Sequence, residues 1–302
     1  MEMVTFISGE EMVELLPPKK AVDAVREAFS LLYKGEVQNP PRTVLTVEGN
    51  WWGVMPCSTK YGVTVKVISV IPGNKERGIP SVNGAVLLLS GETGNPLALM
   101  DGSTLTAIRT SAASVLSTEL SWGLKVETLG VIGAGLEAEH HMRTALGYLS
   151  VSRLLLTSRR RHPELARKFG AEEVELKTLL RESDVIFAVT SSSSPVVLGT
   201  ELKNDFHVSS IGAHTPKERE VDDETIRKVS TYMVDSLDAV SRETGDFILP
   251  KERGLLQEKT VMEIGEVIVK GVKVKRPSLF KTVGLAVEDN VTAYFVYREK
   301  GG

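Results

Sequence analysis

One cysteine, Cys57, stands in a chain of 302 residues. That excludes an internal disulfide and any cysteine-rich metal centre, and no metal is expected. Charge of either sign is not in excess: 36 Lys plus Arg face 39 Asp plus Glu, for a formal charge of −3. Non-specific nucleic-acid binding needs a strongly basic surface, so no nucleic-acid partner is expected. No apolar run approaches the roughly 20 residues that span a bilayer, which argues against a membrane partner. The opening MEMVTFISGEEMVELL lacks a basic region followed by an apolar core. A secretory leader is therefore not expected, and the expected location is cytoplasmic. Sequence repeats and low-complexity linkers are missing as well.

What is present reads as a globular protein with 42% hydrophobic residues and length enough for two domains. Ser8 followed by Glu11 matches a capping box and predicts a short helix through Leu16. Pro17 and Pro18 start a second helix, with Ala21, Val22, Val25, Ala28, Phe29 and Leu32 at helical spacing until Gly35. Strand patterns follow from Thr43 to Met100: TVLTVEG, WWGVMP, GVTVKVISVI, GAVLLLS and PLALMD. No helix-length pattern interrupts them and SGETGN reads as a hairpin loop, so this sheet is predicted antiparallel. After a long helix over Leu105 to Leu120, the pattern changes. The strands ETLGVIG, RLLLTS, DVIFAVT, HVSSIG and TYMVDS alternate with helical segments. Such alternation predicts an α/β fold with a doubly wound parallel sheet.

The first of those strands runs into Gly133, Ala134, Gly135, Leu136, Glu137 and Ala138, a G-x-G-x-x-A junction between strand and helix. A Rossmann-type domain needs Gly133 for the tight turn, Gly135 for close approach of a diphosphate and Ala138 for helix–strand packing. The helix N-terminus adds partial positive charge. The second strand ends in LLLTSRRRHPE, with Ser158, Arg159, Arg160 and Arg161 at its tip and no carboxylate to repel a 2′-phosphate. NADP (NADPH) is the expected cofactor, with NAD (NADH) as the alternative. Thr190, just before SSSS, and Gly212, after HVSSI, sit at strand ends where ligand loops of such sheets gather.

Lys66 stands mid-strand in GVTVKVISVI, on one face with Thr64, Ile68 and Val70, while Val63, Val65 and Val67 take the other. It is either a buried, paired ammonium able to give up a proton or an edge-strand lysine reaching water. Arg42, after NPP, and Arg109, in a helix of Ala, Ile, Leu and Thr, are the other candidate anion holders. Among the histidines, His140 and His141 lie within a helix, and only His214 stands at a strand end beside a cofactor cleft.

Together, NPPRT, VKVISVIPGN…GIPSVNG, ETGNPLALMDGSTLTAIRTSAAS, VIGAG, IGAHTPKEREVD, ETGD and FKTVGLAVED resemble the ornithine cyclodeaminase/mu-crystallin family over nearly the whole chain. The resemblance implies a homodimer. Its discontinuous α+β domain for substrate and dimer contacts covers 1–112 and 286–302, and its Rossmann domain covers 113–285. It puts Arg42, Lys66 and Arg109 on carboxylate-binding and proton-transfer positions, with Asn74, Thr110 and His214 on the substrate. Thr282 and Gly284 fall beside the nicotinamide, and Glu243 with Asp246 near the cofactor cleft. Members include cyclodeaminases, alanine dehydrogenases, ketimine reductases and a binding-only crystallin. Cyclodeaminases resemble one another in an aspartate where this chain has His214, which turns the expectation to reduction of a cyclic ketimine, Δ1-pyrroline-2-carboxylate to L-proline. Alanine dehydrogenase is the alternative, then cyclodeaminase, then an NADPH-linked binding protein. The expected partner is a small imino or amino acid.

Overall fold

The computed structural model describes residues 4–302, the side chain of Lys75 excepted. The chain divides into two compact units, one running to Arg109 and resuming at Leu285–Gly302, the other Thr110–Gly284. The sequence places these boundaries slightly later, at 112/113 and 285/286. The first falls inside a continuous helix, where neither a turn residue nor a change of composition marks it.

In the first unit, β1 (Thr5–Ile7) leads to α1 (Gly9–Leu15) and α2 (Pro18–Tyr33). Then come β2 (Thr43–Val47), β3 (Asn50–Thr59), β4 (Gly62–Val70), β5 (Val82–Leu89), β6 (Pro96–Asp101) and α3 (Gly102–Ser121). The sheet order is β1-β6-β5-β4-β3-β2. From β2 to β6 every pairing is antiparallel, whereas β1 pairs parallel to β6. At three residues β1 leaves no periodicity to read in the sequence.

Ser8 Oγ accepts the Glu11 N–H at 3.3 Å, which is half of the capping box. The Glu11 carboxylate pairs with Lys300 instead of reaching back to the cap. Pro18 occupies the first turn of α2, where a missing N–H costs nothing, and Gly35 leaves the helix at φ +71°. One face of α2 buries Ala21, Val22, Val25, Ala28 and Phe29. Full burial of a Val or Phe of this kind contributes about 1.5–3 kcal/mol.

The closing helix α11 (Ala286–Glu299) packs against α2 and against β3, β4 and β5. It buries polar groups early: Glu288, Asp289, Asn290 and Thr292 are all inside. Buried polar groups must be hydrogen-bonded. The Asn290 amide donates to the Gly62 carbonyl at 3.1 Å and to Thr64 Oγ1 at 3.2 Å, and its own carbonyl accepts from Thr59 at 2.6 Å. The helix start is thereby pinned to the β3–β4 hairpin.

The second unit runs β7 (Lys125–Ile132), α4 (Leu136–Tyr148), β8 (Ser150–Thr157), α5 (Pro163–Phe169), β9 (Glu172–Glu173), α6 (Leu176–Glu182) and β10 (Val185–Ala188). It continues with β11 (His207–Ser210), α7 (Asp223–Lys228), β12 (Thr231–Val234), α8 (Leu237–Glu243) and α9 (Gly245–Glu252). Last come β13 (Thr260–Glu263), α10 (Ile264–Lys270) and β14 (Ser278–Lys281). All eight strands are parallel, in the order β13-β12-β14-β11-β10-β7-β8-β9. The order reverses at β7, which lies between β8 and β10, and this is the switch point where doubly wound sheets open a crevice. β10, β11 and β14 are wholly buried and β7 is buried from Thr128 onward, as strands covered on both faces must be, although β11 and β14 carry the polar His207, Ser209, Ser210, Ser278 and Lys281 inside. Among the described residues, no helix is long and apolar enough to cross a membrane.

Candidate functional site

Lys66 sits in a strand flanked on both sides, by β3 and by β5, and is 1% exposed. The edge-strand alternative is thereby set aside. Its Nζ lies 2.6 Å from Asp289 Oδ2, and it donates to Thr106 Oγ1 at 3.4 Å. Arg109, 6% exposed, donates from Nε to Asp289 Oδ1 at 3.3 Å, with Nη1 3.8 Å from Glu288 Oε2. One carboxylate therefore bridges an ammonium and a guanidinium inside the first unit. Burial pulls the Lys66 pKa down to about 8; Asp289 opposes the drop, while Arg109 and Arg42 add to it. Arg42 is thus electrostatically part of the cluster.

An ammonium has three donors. Asp289 and Thr106 take two, which leaves one for an incoming anion or base. Cys57 lies on the inner face of β3, and burial, with Asp289 nearby, pushes its thiol up to about 12, so it stays protonated.

At the end of β7 the two glycines do different things. Gly133 has φ +129°, and a Cβ there would stand 2.6 Å from the Val189 carbonyl, so only glycine lets the ends of β7 and β10 approach. Gly135 is the N-cap of α4, and a Cβ there would meet nothing within 4 Å. The space over the first turn of that helix is open, with no side chain at the N-cap to fill it. Open space above a helix N-terminus fits a diphosphate. Ala138 is fully buried under it.

The other candidates fall as follows. Asn74 lies in a 3₁₀ turn over Pro72–Arg77 in the first unit, and its amide donates to the Pro80 carbonyl at 3.1 Å. Thr110 follows Arg109 on α3 and is buried, about 100° further round the helix axis. The exposed His214 has Nδ1 2.8 Å from the Gly212 carbonyl. Thr190 donates to Glu220 through its N–H and its hydroxyl, both at 2.8 Å. Thr282 donates to Asp235 at 2.7 Å, and the Gly284 N–H reaches the same carboxylate oxygen at 2.9 Å. Glu243 ends α8, half-buried. Burial holds His141 down to about 3, and Ser114 Oγ lies 2.9 Å from its Nε2, so it is a neutral core histidine. Among the described residues, no group of three or more His, Cys, Asp or Glu could hold a metal ion.

The profile of the ornithine cyclodeaminase/mu-crystallin family matches residues 3–301. The chain belongs to this family. It is 33% identical to the ketimine reductase mu-crystallin of Mus musculus, over 97% of this chain and 96% of that protein. Among solved structures it is similar to the Thermococcus litoralis Δ(1)-pyrroline-2-carboxylate reductase in complex with NADH and L-proline. The TM-score there is 0.91, with 32% identity over 98% of this chain and 97% of that one. It also resembles an archaeal alanine dehydrogenase dimer with bound NAD, at TM-score 0.88 and 27% identity over 98% and 95% of the two chains. A Rossmann-type unit with a discontinuous α+β unit is the fold these proteins share with it.

Two groups in this family member escaped the sequence reading. Asp289 stands in FKTVGLAVED, where a Glu-Asp pair in a first helical turn has the pattern of a dipole-favoured surface. Glu220, inside the charged run KEREVD, is fully buried. The signal that could have found Asp289 is the pair of cations it serves, which themselves need a buried counter-charge.

At the tip of β8, Ser158 Oγ donates to the Arg160 carbonyl at 2.5 Å and closes the turn. Arg159, Arg160 and Arg161 are exposed, and none pairs with a carboxylate among the described residues. They are therefore available to a 2′-phosphate. Replacing Arg159 and Arg160 by Ala should weaken NADPH about tenfold and NADH less than about twofold. Fluorescence titration with both cofactors checks this; an unchanged ratio of the two dissociation constants removes the NADP preference.

Proposed function

We propose that this protein is an NAD(P)H-dependent ketimine reductase acting on a cyclic imino acid, Δ1-pyrroline-2-carboxylate to L-proline. The observation that carries this reading is the buried Lys66 ammonium, held by Asp289 beside Arg109 and with one donor to spare. A small carboxylate attached to a C=N group needs cations for the first and a proton for the second. Arg42 and Lys66 would hold the carboxylate, with Arg109 in support. Lys66 would also supply the proton that makes the imine carbon electrophilic, and burial has already brought its pKa within reach of neutrality. NAD(P)H, when bound at the Gly133–Glu137 junction, supplies the hydride. The NADH and L-proline bound in the Thermococcus litoralis relative support both halves of the reading.

The second reading is alanine dehydrogenase, supported by the archaeal dimer with bound NAD. The imine of pyruvate and ammonia presents the same carboxylate beside the same C=N bond. Cyclodeamination ranks below both, because residue 214 is histidine and not a carboxylate. A binding-only role would retain cofactor affinity without turnover. Purified protein given pyrroline-2-carboxylate, pyruvate with ammonia, or ornithine separates these cases by NAD(P)H absorbance and proline formation. Rapid oxidation is expected with the cyclic imine alone. Ammonia release from ornithine would promote the cyclodeaminase.

The assembly proposed is a homodimer through the first unit. On the face of its sheet opposite Lys66, Phe6, Leu99, Leu87, Val65 and Pro56 form a row across neighbouring strands. Phe6 is 63% exposed, Leu99 is exposed beside it, and Val67 is exposed two residues along β4 from Val65. An apolar sheet face of this kind calls for a partner surface, and a second copy offers the same one. The dimeric state of the archaeal alanine dehydrogenase supports that choice. Val65→Glu combined with Leu99→Glu should give monomers in sedimentation analysis; an unchanged dimer would place the interface elsewhere.

A further inference from the structure

Resting on the dinucleotide reading above, we propose that Glu220 positions the nicotinamide half of the cofactor cleft, its single carboxylate clamping together the loops that follow β10 and β11. Oε1 accepts the Thr190 N–H and hydroxyl, both at 2.8 Å. Oε2 accepts the Ser210 hydroxyl at 2.9 Å, the Ile211 N–H at 3.0 Å and the Gly212 N–H at 2.6 Å. Each oxygen thus serves a different loop. The loops also touch directly, since a Cβ on Gly212 would lie 1.8 Å from the Thr190 carbonyl.

Five donors converge on two oxygens, a load that an ionised carboxylate, acceptor-only at both, meets in full. Burial pushes the Glu220 carboxyl up, and Lys281 pulls it back. Lys281 reaches the site through Asp246, 3.2 Å from its Nζ. Asp246 in turn accepts the Glu220 N–H at 2.9 Å, and its Oδ2 lies 2.9 Å from Ser210 Oγ, whose one proton the two carboxylates share while Lys281 Nζ donates to that same oxygen at 3.3 Å. The clamp is anchored behind as well as in front.

Its place in the sheet decides which part of the cofactor it serves. A doubly wound sheet binds one nucleotide on each side of its switch point. Here the β7–β8 side ends in the Ser158–Arg161 tip suited to an adenosine ribose phosphate. The loops after β10 and β11 lie on the other side of β7, where the nicotinamide nucleotide belongs. A carboxylate joining only those two loops should therefore govern one half of the ligand.

Isothermal titration of wild type, Glu220→Gln and Ser210→Ala with NADH and with ADP-ribose tests this. The glutamine NH₂ would face donors at one of the two loops. NADH should weaken about tenfold in Glu220→Gln while ADP-ribose, which lacks the nicotinamide, stays within about twofold. Ser210→Ala removes one of the five donors and should shift NADH the same way by about threefold; it carries the test if Glu220→Gln does not fold. Equal weakening of both ligands, or no change in either, overturns the proposal. A wild-type protein that binds neither probe overturns the cofactor reading, and this inference with it.

Discussion

Lys66→Met should lower kcat for imine reduction by about 100- to 10,000-fold, the range in which a positioned general acid contributes. The imine KM should also rise, because a cation facing the carboxylate is lost. NADPH affinity should stay near wild type, since the dinucleotide junction belongs to the other unit. Melting temperature is a separate matter. The substitution leaves Asp289 buried without its 2.6 Å partner, but Arg109 Nε at 3.3 Å still compensates it. A fall of several degrees is expected, short of the full cost of orphaning a buried charge. Adding Asp289→Asn should recover most of that fall and none of the turnover, which separates a stability effect from a chemical one. Lys66→Arg should restore binding better than kcat, because a guanidinium holds carboxylates but does not release its proton near neutrality.

The pH profile carries the same signature. The proton-bearing form of Lys66 is the charged one, so activity that depends on it persists below its pKa of about 8 and declines as pH rises through that value. In Lys66→Arg the decline should vanish from this window. A Lys66→Met enzyme whose turnover stays within a few-fold of wild type would leave the lysine a structural ion pair.

How much of this was legible in the sequence differs from element to element. Gly133, Gly135 and Ala138 could be read because a strand, a turn and a helix are local, and the spacing reports all three. Lys66 could be read only as a choice between a buried ammonium and a solvent-reaching one. What decides it is that β3 and β5 both pair with β4, a non-local fact. Asp289 lies 180 residues beyond Arg109 in the chain, and helix α11 looks solvent-directed at its start because its acidic residues precede any view of their partners. The position of β14 was hidden for the same reason: the last strand of the unit inserts between β11 and β12. Alternation of strand and helix gives the class of sheet, and the order depends on packing. Glu220 shows the limit most plainly, since a charged run such as Lys217–Asp223 reads as solvated loop whether or not one member turns inward.

Gly135→Val should abolish measurable NAD(P)H binding in a protein that still folds. The two conditions come from the same observation. A Cβ at Gly135 meets no protein atom within 4 Å, so the side chain of a valine starts into open space rather than into the packed core. Its backbone, at φ −92°, suits any residue. The cost to the fold is the poorer N-cap preference of valine, on the order of 1 kcal/mol, or a few degrees in melting temperature. The open space it fills is the space over the first turn of α4 that a diphosphate would need. Affinity should fall by at least about 100-fold, equivalent to roughly 2.7 kcal/mol. Gly133→Ala provides the contrast. Its positive φ and the Val189 carbonyl at 2.6 Å make even one methyl group a strain on the junction itself. That variant should lose stability and cofactor together, whereas Gly135→Val loses cofactor alone. If folded Gly135→Val binds NADPH within about threefold of wild type, the diphosphate does not lie on this junction, and the dinucleotide must be sought elsewhere in the unit.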